Sequence, residues 1–243
     1  MFNEYPKIRP KLSVEMSEIY ADYYKKNRTG NTFATSITQK MESWLHKQVA
    51  KDIANVNSEQ LSTLEIGAGT LNHLPYEPNI LEYDIIEPFN QLYEDSNLLN
   101  RVKKIYSDIV EIPFTNKYDR IVSVATFEHI LNLPDVVSRA AILLNNGGCL
   151  RVAIPSEGEF LWGLGWRLTT GIEFRIKYGI DYGELMRYEH INSAREIKKI
   201  LNYFFEVSVV KSFGVGEMLS FYQFIECRNP NIERCKDFLR LAK

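Results

Sequence analysis

Leu64-Glu65-Ile66-Gly67-Ala68-Gly69-Thr70 is the stretch whose reading decides the fold of this chain. The β-compatible residues Leu61 to Leu64 run into a carboxylate and then into two glycines spaced one apart. That pattern predicts a buried strand ending in a tight turn, where backbone without a Cβ can approach a ligand. The turn is of a nucleotide-binding kind. A dinucleotide turn also wants Gly or Ala three residues after the second glycine, so that the next helix closes on the strand. That position is Asn72, which argues against a nicotinamide cofactor and an NAD(P)-linked oxidoreductase.

Outward from this turn the chain alternates as a doubly wound α/β fold does. Strands are expected at Leu61–Ile66, Glu82–Ile86, Val102–Tyr106, Arg120–Val124 and Cys149–Ile154, apolar on both faces because helices cover both. Pro75 and Pro78 keep the connection after the first strand short. Pro134 sits where a helix starts, and Asn145-Asn146-Gly147-Gly148 reads as its stop. Ser193 opens a later helix with Glu196 as capping-box partner, strands follow at Glu206–Lys211 and Leu219–Cys227, and a terminal helix starts near Asn231. The expected sheet has seven strands, mostly parallel, with an antiparallel last strand.

At 243 residues the chain suits one α/β domain with additions. Residues 1–55 read as an N-terminal helical extension, with helices over Leu12–Lys26 and from Ser36 to about Ala54, that closes over a ligand as a lid; residues 56–243 form the main domain. The segment 156–190, rich in glycine and aromatic residues, is too long for a plain connection and reads as a functional insertion. A net charge of -2 with mixed signs gives no reason to expect nucleic acid. Three cysteines without a Cys-x-x-Cys pair suggest neither a disulfide framework nor a zinc site. No apolar run is long enough for a membrane span or a signal peptide, so a cytoplasmic location is expected.

Four further elements follow the glycine turn in order. Glu87 ends the second strand at the spacing of an acid that holds ribose hydroxyls, followed by Pro88 and Phe89. Ser107-Asp108 follows the third strand. Asp119 opens the fourth, which runs into Ala125-Thr126-Phe127-Glu128-His129. Leu143-Leu144-Asn145-Asn146-Gly147-Gly148 leads into the fifth. Together, over roughly residues 55 to 155, these resemble the motifs of class I S-adenosylmethionine (SAM)-dependent methyltransferases, whose Rossmann-like fold the chain is expected to share.

The resemblance implies SAM as cofactor, S-adenosylhomocysteine (SAH) as its product, and methylation of an oxygen or nitrogen of a small-molecule acceptor. It places Glu65, Gly67, Ala68, Gly69, Glu87, Pro88, Phe89, Ser107, Asp108, Ala125, Thr126 and Glu128 around the cofactor. Asp108 would accept from the adenine amino group. Leu71 stands where the family often has another glycine. Some quinone-pathway relatives with Glu-His after the fourth strand also carry an acid four residues before the His and bind a divalent metal; Ala125 occupies that place, so no metal is expected.

His129 and His190 are the candidate bases, since histidine exchanges protons near neutral pH. Trp162, Trp166, Tyr178 and Tyr182 of the insertion are candidate acceptor contacts, and Arg167, Arg175, Lys177 and Arg187 add charge for a phosphate or carboxylate. The same surface equally suits a homodimer contact. The sequence style after residue 160 is similar to methyltransferases of bacterial surface-polysaccharide pathways, which points to a sugar or sugar conjugate. A non-catalytic relative of the fold, working through the insertion, is the other alternative.

Overall fold

The run before the glycine turn forms strand β1 (Ser62–Ile66), and parallel partners flank it on both sides. The computed structural model describes residues 2–14, 16, 17, 19, 35–53, 61–77, 82–168 and 170–241. Its other strands are β2 (Glu82–Ile86), β3 (Lys104–Tyr106), β4 (Tyr118–Val124), β5 (Leu144–Pro155), β6 (Glu206–Val215) and β7 (Leu219–Arg228). They form one sheet in the order β3-β2-β1-β4-β5-β7-β6. Strand β7 runs antiparallel to both β5 and β6, as the sequence leads one to expect. The direction of winding reverses between β1 and β4, so the loops after these two strands open a crevice at the carboxyl edge.

The two sheet faces are covered differently. On one, Leu64, Ile66, Ile121, Leu150 and Val152 pack against helices α2 (Leu133–Leu143) and α6 (Ala194–Phe204), with Cys235 of α7 (Ile232–Leu241) beyond them. Helix α6 starts with the anticipated Ser193 and Glu196 capping box, and its Ile197, Ile200, Leu201 and Phe204 fall on one buried face. On the other, helix α1 (Thr35–Val49) lays Leu45 and Val49 on Val122, Ala153 and Phe224. The insertion folds as α3 (Phe160–Leu168), α4 (Thr170–Tyr178) and α5 (Tyr182–Glu189). Among the described residues no helix is long and apolar enough to cross a membrane.

Several boundaries move for physical reasons. Helix α1 stops at Val49 and tightens into a 3₁₀ turn, Ala50–Asp52, short of the expected Ala54. The Asn145–Gly148 stop is not a loop before the fifth strand but a bulge within it. Leu144 already pairs with Tyr118 and Cys149 with Arg120, and Gly147 takes φ +80° to absorb the surplus residues. Strand β6 runs four residues past the expected Lys211, to Val215, and there Phe213 packs edge-on to Trp44 at 5.4 Å. Most of the expected helix over Leu12–Lys26, from residue 20 onward, and Pro78 lie outside the described residues.

The face under α1 carries buried charge. Arg120 of β4 donates to both carboxylate oxygens of Asp52 (2.7 and 3.0 Å) and of Glu77 (2.6 and 3.0 Å), and to Thr63 and the Val49 carbonyl. Arg151 donates to the carbonyls of Val49 and Gln48 and pairs with Glu226. The two guanidinium groups thus satisfy carbonyls at the C-terminal end of α1, where positive charge is favoured. His46 and His73 meet through their Nδ1 atoms at 3.0 Å, and His73 Nε2 lies 2.9 Å from Glu77. Burial holds His73 below the usual histidine range, so it donates to Glu77 as a neutral ring. Burial alone would raise the Glu77 carboxyl; the His73 hydrogen bond and the Arg120 charge outweigh it and keep Glu77 low.

Arg120→Met leaves the fully buried Glu77 carboxylate without its cation, while the part-exposed Asp52 keeps Arg151 at 3.2 Å, and is expected to lower unfolding stability by about 3–5 kcal/mol in urea titrations. Loss of the exposed Arg240–Asp237 pair by Arg240→Ala costs about 0.5 kcal/mol or less. Because the folded-state pKa of Glu77 is depressed, its contribution is present above the ordinary carboxylate value of 4.5 and fades as pH falls below it.

Candidate functional site

The crevice is built first from the turn after β1. Gly67 N and Ala68 N both donate to the Ile86 carbonyl, at 2.9 and 3.4 Å, which pins the turn against the end of β2. Gly67 has φ +75°, and a Cβ there would fall 2.2 Å from Thr126 Cγ2. Only glycine lets the turns after β1 and β4 meet. Gly69 has φ +52°, and its missing Cβ would enter open space. Leu71, where another glycine was looked for, adopts φ +63° with its side chain buried beside Leu74, Tyr83 and Ile85.

Glu87 closes this half of the site. One carboxylate oxygen accepts from Gly69 N (2.8 Å) and the other from Phe89 N (3.1 Å), so the acid is held beside the glycine turn in a fixed orientation. Pro88 and Phe89 follow as an exposed apolar shelf. Asp108 is exposed and caps a 3₁₀ turn by accepting from Val110 N, while Ser107 N donates to Glu111. Glu65 sits differently from its neighbours in the motif. It is fully buried behind the turn, accepts from the Tyr83 hydroxyl at 2.8 Å, and is pushed up to about 8 by that burial.

The other half grows from the turn after β4. Ala125 takes φ +49° and donates its N–H to Ala153, and Thr126 Oγ1 reaches the carbonyls of Val124 and Gly67. Phe127–His129 makes one 3₁₀ turn. The exit of the insertion grips it: Ile191 N and Asn192 N donate to the Glu128 carbonyl, and Asn192 Nδ2 donates to the carbonyls of Phe127 and Ile130. An N-terminal arm straps the outside, with Tyr5 donating to Asn192 and Arg9 to the carbonyls of His129 and Tyr188.

This grip brings together residues far apart in the chain. The rings of His129 and His190 lie 5.0 Å apart. His129 Nδ1 is 2.7 Å from the Glu189 carbonyl, and His190 Nδ1 is 2.8 Å from the Glu157 carboxylate. Glu157 also accepts from Trp162 Nε1 at 2.6 Å, and Trp162 stacks on His190. Burial would raise Glu157, but its bond to His190 outweighs this and keeps it low, hence ionised at neutral pH. Glu128, by contrast, is buried with Oε2 unpaired, and burial raises it to about 7. Its other oxygen is 3.7 Å from His129 Nε2. Ligand-capable atoms of Glu128, His129 and His190 all lie within 4.8 Å of one another, although the sequence suggested no metal-binding group.

Beyond this cluster lies a cleft of about 510 Å³, lined by Trp166, Arg167, Arg175, Asp181, Arg187 and His190 among others. Of the four aromatic residues singled out as acceptor contacts, Trp166 borders it. Trp162 belongs to the histidine cluster, and Tyr178 and Tyr182 pack against Phe174 (4.7 and 5.1 Å) in the small core of the insertion. Two residues missed from sequence adjoin the histidines. One is Glu157, the first acid beyond the carboxyl end of β5. The other is Tyr222, which meets Trp162 edge-on at 5.4 Å and is pushed up to about 12 by burial, with Glu128 adding to the rise.

No protein-family model matches the sequence, and no curated protein matches it. Solved structures do match its fold. A SAM-dependent methyltransferase from Thermotoga maritima superposes with a TM-score of 0.56 at 16% identity, over 88% of this chain and 99% of that one. The N-methyltransferase NodS from Bradyrhizobium japonicum, in complex with SAH, gives 0.53 at 14% over 79% and 87%. A SAM-dependent methyltransferase from Mesorhizobium loti gives 0.52 at 9% over 76% and 98%. The strand order, the reversed β7 and the crevice at the switch between β1 and β4 are therefore those of the Rossmann-like fold of SAM-dependent methyltransferases.

Proposed function

We propose that the chain is a SAM-dependent methyltransferase acting on a small molecule, and that the crevice between the β1 and β4 turns binds the cofactor. The observation that carries this reading is Glu87, a fixed carboxylate at the tip of β2 whose oxygens are held by Gly69 N and Phe89 N beside a turn with open space at Gly69. A carboxylate so placed suits paired ribose hydroxyls, and the exposed ring of Phe89 suits an adenine face. Asp108 stands at the end of β3 for the adenine amino group. Ala125, Thr126 and the Glu128 turn border the methionine end.

SAM carries its methyl on a sulfonium, so the leaving group is already good and the protein mainly has to hold a nucleophile in line. An acceptor oxygen or nitrogen loses a proton on methylation, and His129 and His190 are the groups at hand to manage it. The acceptor proposed is a sugar or sugar conjugate with a phosphate or carboxylate. It would stack on Trp166 and meet Arg167, Arg175 and Arg187, which converge on the insertion cleft. Residues 1–55 would then act with the insertion to enclose both substrates.

Calorimetry with SAM, SAH and NAD tests the cofactor. SAH is expected to bind, Glu87→Ala to abolish detectable binding, and Gly69→Ala to weaken it tenfold or more while stability falls only by the roughly 1–2 kcal/mol of a left-handed alanine, because the added methyl meets no protein atom. Gly67→Ala should instead destabilise the fold, since its methyl collides with Thr126. Binding of NAD but not SAH would overturn the reading. Labelled-methyl transfer onto nucleotide sugars, sugar phosphates and small phenols tests the acceptor. There, His129→Ala and His190→Ala are expected to cut turnover at least tenfold with SAH affinity retained; full rate in both variants would exclude a role for the imidazoles.

A further inference from the structure

We propose that Glu128, His129 and His190 form a binding site for one divalent transition-metal ion, set on the acceptor side of the crevice. The first ground is the carboxylate. Glu128 is 1% exposed, its Oε2 has no hydrogen-bond partner, and among the described residues no Lys or Arg pairs with it. A buried carboxylate left in that state is costly, and a cation is the direct remedy. Packing does not explain it, because the turn is already fixed by main-chain bonds to Ile191 and Asn192.

The second ground is how the imidazoles are held. Each offers Nδ1 to an acceptor, His129 to the Glu189 carbonyl and His190 to the Glu157 carboxylate. An acceptor on Nδ1 fixes the proton there and leaves the Nε2 lone pair free, which is the outer-shell arrangement that orients metal-bound histidines. Trp162 adds to this for His190, since it stacks on the ring and bonds the same Glu157 oxygen.

The third ground is distance. Atoms sharing one ion at about 2.1 Å lie about 3.0–3.5 Å apart at tetrahedral or octahedral angles. His129 Nε2 and Glu128 Oε1 are already 3.7 Å apart, and one ring nitrogen of each histidine lies within 4.8 Å of the other and of a Glu128 oxygen, so side-chain rotations close the site. Two imidazoles and one carboxylate select zinc, cobalt, manganese or iron(II) over magnesium or calcium, which favour all-oxygen sites. Three protein ligands also leave positions open for an acceptor oxygen, and with the ion bound the imidazoles hold it rather than act as bases themselves. That role for the ion rests on the methyl-transfer reading; the site itself does not. The absent acid at Ala125 is no obstacle, because His190 supplies the third ligand from the far end of the insertion.

The test uses the full chain stripped with a chelator. Co²⁺ is titrated by visible absorption and Zn²⁺ by calorimetry, and SAH affinity is measured on the same samples as a check of folding. One ion per chain is expected. Glu157→Gln, an outer-shell change, should weaken it about tenfold, and Glu128→Gln and His190→Asn, which remove a ligand, should each weaken it more than that. SAH binding by His190→Asn should persist. Absence of Co²⁺ and Zn²⁺ binding in a chain that binds SAH, or affinity unchanged in the Glu128 and His190 variants, would overturn the metal site and leave the cofactor reading standing. Metal binding with the expected variant losses but without SAH binding would support the site and defeat the cofactor reading.

Discussion

A single guanidinium, that of Arg120, ties the strands that border the crevice to their cover. From β4 it reaches the end of α1, the Asp52 turn, Thr63 on β1 and Glu77 beyond the glycine turn. A charge pointing into a sheet face is tolerable only when its donors are met, and here two carboxylates meet them in pairs. Glu77 anchors the far end of the connection that begins at Gly67, and His73 braces Glu77 from within that connection. With both ends fixed, Leu71 can be held at φ +63°. The left-handed conformation costs about 1–2 kcal/mol, whereas full burial of a leucine side chain is worth about 1.5–3 kcal/mol. Burial wins, which is why the turn keeps its shape without a third glycine.

The shape of the turn after β1 was legible in the sequence because its signals are local. A glycine pair after a strand, a carboxylate at a strand tip and, elsewhere, a Ser–Glu capping box are each signalled within a few residues, whereas the meeting of Gly67 with Thr126 is not. Arg120 and Arg151 were not legible. They stand in strands where apolar residues were expected on both faces, and what makes them possible is the end of a helix some seventy to a hundred residues earlier. The bulge at Asn145–Gly148 hid for a related reason: its residues have turn chemistry, and only the pairing of Leu144 with Tyr118 shows that the strand has already begun.

The half around the histidines was legible as an inventory but not as an arrangement. His129 and His190 each stood out, yet nothing in their spacing places two rings 5.0 Å apart. That depends on α3, α4 and α5 carrying the chain away from β5 and returning it to the β4 turn. Tyr178 and Tyr182 illustrate the reverse. A segment of three short helices must bury something of its own, and these tyrosines do so with Phe174, leaving Trp166 to face the cleft. Glu157 drew no notice in the sequence, although its place just past the carboxyl end of β5 is where α/β folds collect ligand-binding groups.

The grip on the Glu128 turn determines how this half can move. The turn's carbonyls at Phe127, Glu128 and Ile130 are all taken by the Ile191–Asn192 exit of the insertion. That end cannot shift without breaking several bonds at once. At the entry, the side chain of Glu157 is joined to Trp162 and His190, so the first turn of α3 is referenced to the same point. Any opening of the cleft must therefore occur in the middle of the insertion, around α4, whose Ile172 and Ile176 are exposed. In such a design the histidine cluster and the α4 wall bearing Arg175 are mechanically separate, so α4 can differ in position or sequence without disturbing His129 or His190.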